Sequence, residues 1–143
     1  MNLQRRLAWA LLVLRFTVFL VMLMWTLDKF LRPGHAAGVV SHFYAMPHLG
    51  PTLFLLIGVL ELLLLLAFVL GVARRFTYAA VLVLHGASTL AAWSQYLHPY
   101  ASENLMFFAA WPMLAACLAL YLLREADAMS IDGWRRAVAS PRS

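Results

Sequence analysis

Four apolar stretches punctuate the chain, at residues 7–27, 53–70, 76–93 and 105–123. Each holds 18 to 21 residues, enough for a helix to cross a hydrocarbon core of about 30 Å. Turn formers fall between them. Pro33, Gly34, Gly38, Pro47, Gly50 and Pro51 separate the first two stretches, Gly71 with Arg74 and Arg75 follows the second, and Pro99 precedes the fourth. The pattern predicts an all-α integral membrane protein: a four-helix bundle in one domain over 1–143, with an outer loop at 28–52 and a cytoplasmic tail at 124–143. Arg5 and Arg6 before an apolar run give the N-terminus the look of a signal peptide. The run continues to Leu27, contains Arg15 and has no small-x-small cleavage site before Asp28, so it reads as a retained membrane helix.

Composition agrees with this class. The chain is 64% hydrophobic and 12% charged, whereas a soluble domain carries about twice that share of charge. The net charge of +5 calls for no nucleic acid, because arginine excess in a membrane protein is a topology signal. Arg5, Arg6, Arg74, Arg75, Arg124, Arg135, Arg136 and Arg142 fall on one side of the four spans, and only Lys29 and Arg32 on the other. That asymmetry predicts both termini in the cytoplasm. Trp9, Tyr78 and Tyr121 inside, and Trp25, Trp93 and Tyr96 outside, form the expected interfacial belts. The single cysteine, Cys117, excludes an internal disulfide and a Cys-x-x-Cys redox pair.

Charge inside the spans is where chemistry could lie. Arg15 sits mid-way along the first span, Glu61 follows Gly58 in the second, and His85, Ser88 and Thr89 form a stripe on the third. Counting helical rise places Arg15 and His85 at roughly 12–14 Å depth from one side and Glu61 at roughly 12 Å from the other. One unpaired charge at such depth costs about 2.5–3.5 kcal/mol, so an Arg15–Glu61 pair is the expected resolution. A protonated, unpaired Glu61 is the alternative, since desolvation raises a carboxyl pKa. The pair would act either as a structural lock between the first two helices, with His85 bonded to a neighbour, or as part of a polar site for a quinone, a proton or another small ligand. The structural role carries more weight. On the fourth span, Ala115, Ala116, Cys117 and Ala119 follow Pro112, which predicts a small-faced, kinked helix.

His35, His42, Met46, His48 and His98 all fall on the outer side, with Asp28 and Glu103. Imidazole with thioether suits copper, but the spacings match no helical or zinc-ligand pattern. Copper is therefore disfavoured as a cofactor, and so is haem, because only His85 lies well inside a span.

Several motifs together resemble the DoxX-like family of small membrane proteins. LRFTVFLVMLMWTLDKF, with Arg15 early and Lys29 at its exit, resembles that family's first helix. MPHLGPTLF followed by GVLELLLLLAFVLGVARR resembles its second, Asn104 opens the fourth, and Ser130, Ile131 and Asp132 resemble its closing Ser-hydrophobic-Asp pattern. The family's first helix usually has glycines between the arginine and the lysine; here Phe19, Met22 and Met24 fill that stretch. The resemblance implies a multi-pass protein of the bacterial inner membrane in a redox setting, such as the respiratory, sulfur-oxidising and thiosulfate:quinone oxidoreductase complexes. Three functions are then weighed: an accessory or quinone-binding subunit of a membrane redox complex; a structural or assembly protein without a ligand; and a small transporter or metal-handling protein. The expected partners are the bilayer and a larger membrane complex or further copies of the chain. An autonomous enzyme has least support, since no nucleophile–base pair, phosphate loop or cofactor fingerprint is present.

Overall fold

A computed structural model describes residues 2–44 and 50–139. They form α1 (Leu3–Leu31), α2 (Pro33–Tyr44), α3 (Pro51–Leu70), α4 (Arg74–Ala91), the short α5 (Trp93–Leu97), α6 (Ala110–Leu122) and α7 (Ile131–Ala139). A 3-10 stretch, Asn104–Ala109, leads into α6, and no strand occurs among the described residues. Three segments are long and apolar enough to cross a membrane: α1, α3, and Asn104–Leu122. The remaining long helix, α4, has 18 residues but opens on two arginines and carries His85, Ser88 and Thr89.

Local chemistry sets the boundaries. The Asn2 side chain accepts a hydrogen bond from the Arg5 amide at 3.0 Å, capping α1. α1 outlasts its apolar run and ends before Pro33, which cannot continue a helix but suits the first position of the next. Much of the expected outer loop is therefore helical. Gly71 ends α3 in the left-handed region, with φ +68°. Its amide bonds Phe68 O at 3.0 Å and the Val72 amide bonds Ala67 O at 2.9 Å, the two bonds of a Schellman cap. Pro112 occupies the third position of α6, where a missing N–H is harmless. It lies just past the change from 3-10 to α geometry at Ala110.

Each of the four long helices packs against two others: α1 and α4 both lie between α3 and α6. The seams follow a three–four spacing. Ala8, Leu11, Arg15, Val18 and Met22 are the buried line of α1, and Phe54, Gly58, Leu65 and Phe68 that of α3. This is the knobs-into-holes repeat of coiled coils. Leu11, Val18, Met22, Leu65, Phe68, Tyr78, Val81, Cys117 and Leu120 make the common core. Phe16, Leu20, Leu55, Leu63, Val83 and Leu90 are exposed on the outer faces, as a lipid-facing surface requires. Arg15, Glu61, Tyr78 and His85 all fall in the inward three–four lines, so the polar groups are inside and the apolar groups outside.

Two glycines fix the register of α1 against α3. A Cβ on Gly58 would stand 3.0 Å from Phe30 Cζ. A Cβ on Gly71 would collide with Ser130 Cβ and stand 2.9 Å from Arg15 Nη1. Gly58→Ala needs only a small shift of a ring tip and gains helix propensity, so its thermal unfolding midpoint in micelles should change by less than about 1 kcal/mol equivalent. Gly71→Ala incurs a left-handed conformational penalty of about 1–2 kcal/mol besides the collision, and should lower the midpoint clearly. Equal midpoints for the two variants would refute this register.

Candidate functional site

The residues after α6 do not extend away as a tail. The chain turns through a 3-10 segment, Arg124–Ala126, and Asp127 enters the bundle, where it is fully buried. There Arg15, 2% exposed, meets it. Arg15 Nη1 forms an ion pair with Asp127 Oδ2 and donates to Tyr78 Oη at 3.0 Å. Arg15 Nη2 donates to Met129 O at 2.6 Å. Tyr78 Oη in turn donates to Asp127 Oδ2 at 2.6 Å. The four groups come from α1, α4 and the segment joining α6 to α7, so three parts of the chain are tied at one point.

A second arginine holds the same segment by its backbone. Arg74, 3% exposed, donates from Nη1 to Asp127 O at 2.6 Å, and Ser130 Oγ donates to the same carbonyl at 2.7 Å. The two buried arginines face Asp127 and Asp132, which makes the cluster formally neutral. That neutrality is what lets it sit out of water, because an unmatched buried charge is costly. Asp127 Oδ1 and Arg15 Nε are buried without a hydrogen-bond partner, so the pair is held through one oxygen rather than two.

The Ser130–Ile131–Asp132 sequence acquires a physical role here. Ser130 caps α7, its Oγ accepting from the Gly133 amide at 3.1 Å. Asp132 caps a different helix. α4 begins after Ala73 in a left-handed conformation with no side-chain cap of its own, and Asp132 Oδ2 accepts from the Arg74 amide at 3.0 Å. A carboxylate at a helix N-terminus is favourable. The Asp132 amide completes the joint by donating to Gly71 O at 3.2 Å.

The expected Arg15–Glu61 pair does not form. Arg15 lies level with Gly71, and ten residues of α3 separate Gly71 from Glu61, about 15 Å of helical rise. Glu61 pairs instead with Lys29, Nζ to Oε2 at 2.8 Å, because α1 runs on far enough for its last turns to reach it. His85 is separate from both: its Nε2 lies 3.0 Å from Ala110 O and 3.4 Å from Thr89 Oγ1. Thr89 is buried, whereas Ser88 is exposed and bonded to Leu84 O at 3.0 Å. Arg15, Glu61 and His85 therefore belong to three places rather than one polar layer.

The outer histidines are also dispersed. His35 Nδ1 lies 2.6 Å from Asp28 Oδ2, where Arg32 also bonds the Asp28 carboxylate. His42 is exposed and stacks edge-on with Phe43. His98 is exposed, and its carbonyl accepts from Asn104 Nδ2 at 2.9 Å. Met46 and His48 lie outside the described residues. Among the described residues no three His, Cys, Asp or Glu side chains converge as metal ligands. Cys117 is buried in the apolar core.

Beside the cluster lies a shallow, open cleft of about 460 Å³ between the end of α3 and the start of α7, lined by Val69, Leu70, Met129, Ile131 and Trp134, with Arg15 and Ser130 at its polar part. Comparison with protein-family models, curated proteins and solved structures gives no match to this chain.

The two ion pairs differ in what their loss leaves behind. Arg15→Met strands Asp127 in a fully buried position and should cost about 3–5 kcal/mol in unfolding experiments. Tyr78→Phe removes two hydrogen bonds to charged groups, one accepted from Arg15 and one donated to Asp127, and should cost at least about 1.5–3 kcal/mol. Lys29→Met should cost less than Arg15→Met, because Glu61 is part-exposed whereas Asp127 is fully buried. A larger loss for Lys29→Met than for Arg15→Met contradicts this assignment.

Proposed function

We propose that this chain is a DoxX-like four-helix protein of the bacterial inner membrane, with both termini cytoplasmic, that serves as a non-catalytic accessory subunit of a membrane redox complex. The observation carrying the accessory role is that the intramembrane polar groups are matched within the chain, in three separate places. Arg15 is paired with Asp127 and Tyr78, Glu61 with Lys29, and His85 with Ala110 and Thr89. A transport path or a quinone pocket built on Arg15, Glu61 and His85 needs those groups near one another, and a rigid helical scaffold does not. The fourth spanning helix in this reading is α4, whose polar side faces its neighbours. The orientation rests on the arginine-rich end, where Arg5, Arg6, Arg74, Arg75, Arg135 and Arg136 gather. The redox setting rests on the order and spacing of the motifs shared with DoxX-like proteins.

Mild solubilisation and native purification of the full chain, expressed in its own host, should yield a reproducible complex containing a redox-active partner. A lone chain or a homo-oligomer would favour a self-contained structural protein instead. Reporter fusions at the C-terminus should be active in the cytoplasm and inactive outside it; the opposite pattern would reverse the orientation.

A further inference from the structure

We infer that the cleft between the end of α3 and α7 is a binding site for an anionic phospholipid of the leaflet that faces α7. The inference rests on the membrane orientation proposed above. Three observations lead to it.

The first is the form of α7. Ile131, Trp134 and Val138 recur at i, i+3 and i+7 on one stripe, Arg135 at i+4 borders it, and Arg136 lies off it. Such a pattern suits a helix lying in the plane of the membrane interface. Trp134 and Val138 are 66% and 64% exposed, so the bundle does not cover their apolar area. A tryptophan at this level is a preferred interfacial anchor.

The second is the cleft itself. Val69 and Leu70 form one wall and belong to the last turn of a membrane-length helix; Ile131 and Trp134 form the other. The opening thus lies where hydrocarbon gives way to headgroups. Apolar walls of this kind fit an acyl chain.

The third is charge. Arg75 and Arg135 are exposed and make no ion pair among the described residues. Both adjoin it in sequence: the Arg74 amide bonds Asp132 and Arg75 is the next residue along α4, while Arg135 follows Trp134, which lines the cleft. Two free guanidinium groups beside an apolar cleft complement a phosphodiester with net negative charge. They give no such advantage to a zwitterionic lipid.

The test uses the full-length protein. Membranes are first washed with alkaline carbonate, and the detergent-purified protein is then titrated with phosphatidylglycerol or with phosphatidylcholine of the same acyl chains while its thermal unfolding midpoint is followed. Phosphatidylglycerol should raise the midpoint at concentrations where phosphatidylcholine does not. Arg75→Gln with Arg135→Gln should weaken the phosphatidylglycerol response by roughly an order of magnitude or more, and Arg5→Gln with Arg6→Gln should leave it in place. A carbonate-resistant protein that responds equally to both lipids, or whose selectivity survives in the Arg75/Arg135 variant, overturns the lipid site alone. Release by carbonate overturns the membrane reading and the site with it.

Discussion

The ion pair between Arg15 and Asp127 is the constraint on which the rest of this structure depends. Arg15 occupies an inward position in the line Ala8, Leu11, Arg15, Val18, Met22, where any other residue of the repeat is apolar. A guanidinium there must be matched, and the matching carboxylate comes from beyond the last long helix. To deliver it, the chain must fold back under the bundle. Gly71 must lack a side chain where Ser130 and Arg15 pass. Arg74 must grip the Asp127 carbonyl, and Asp132 must cap α4 across the joint. Burying such a pair gains little net stability compared with apolar packing. What it does here is tie α1, α4 and the returning segment together at one point.

At the C-terminal end of α1, beside the middle of α3, the same logic operates with different residues. Lys29 and Glu61 pair across α1 and α3, and Asp28 gathers Arg32 and His35 where α1 hands over to α2. His85 bonds to the backbone at the start of α6. Arg15, Glu61 and His85 are thus each paired with a different neighbour. The result is a bundle whose charges stabilise its internal register, with a cleft at the arginine-rich end as the place where an outside molecule could be received.

Much of this was legible in the sequence. The apolar stretches mark the long helices to within a few residues, and the polar residues inside them are the informative ones. The partners were not legible. Depth counted from the ends of the apolar runs brought Arg15 and Glu61 to similar levels, but α1 extends past its apolar run to Leu31, and close approach at Gly58 and Gly71 sets the actual register. Asp127 was invisible because it follows the last span and looks like part of a charged tail. Its flanks were the available signal: Ala126, Ala128 and Met129 surround it with small or apolar residues, unlike the exposed arginines nearby. The Ser130–Ile131–Asp132 pattern is visible in the sequence, but its two capping roles join helices that are distant along the chain.

A double-mutant cycle measured by unfolding in lipid-like micelles tests the central constraint most directly. With Arg15→Met and Asp127→Leu as the single changes, each alone should be strongly destabilising and the double variant should recover most of the loss, giving a coupling of several kcal/mol. The parallel cycle of Arg15→Met with Glu61→Leu should be additive within about 0.5 kcal/mol. Strong coupling in the second cycle and additivity in the first would contradict the account.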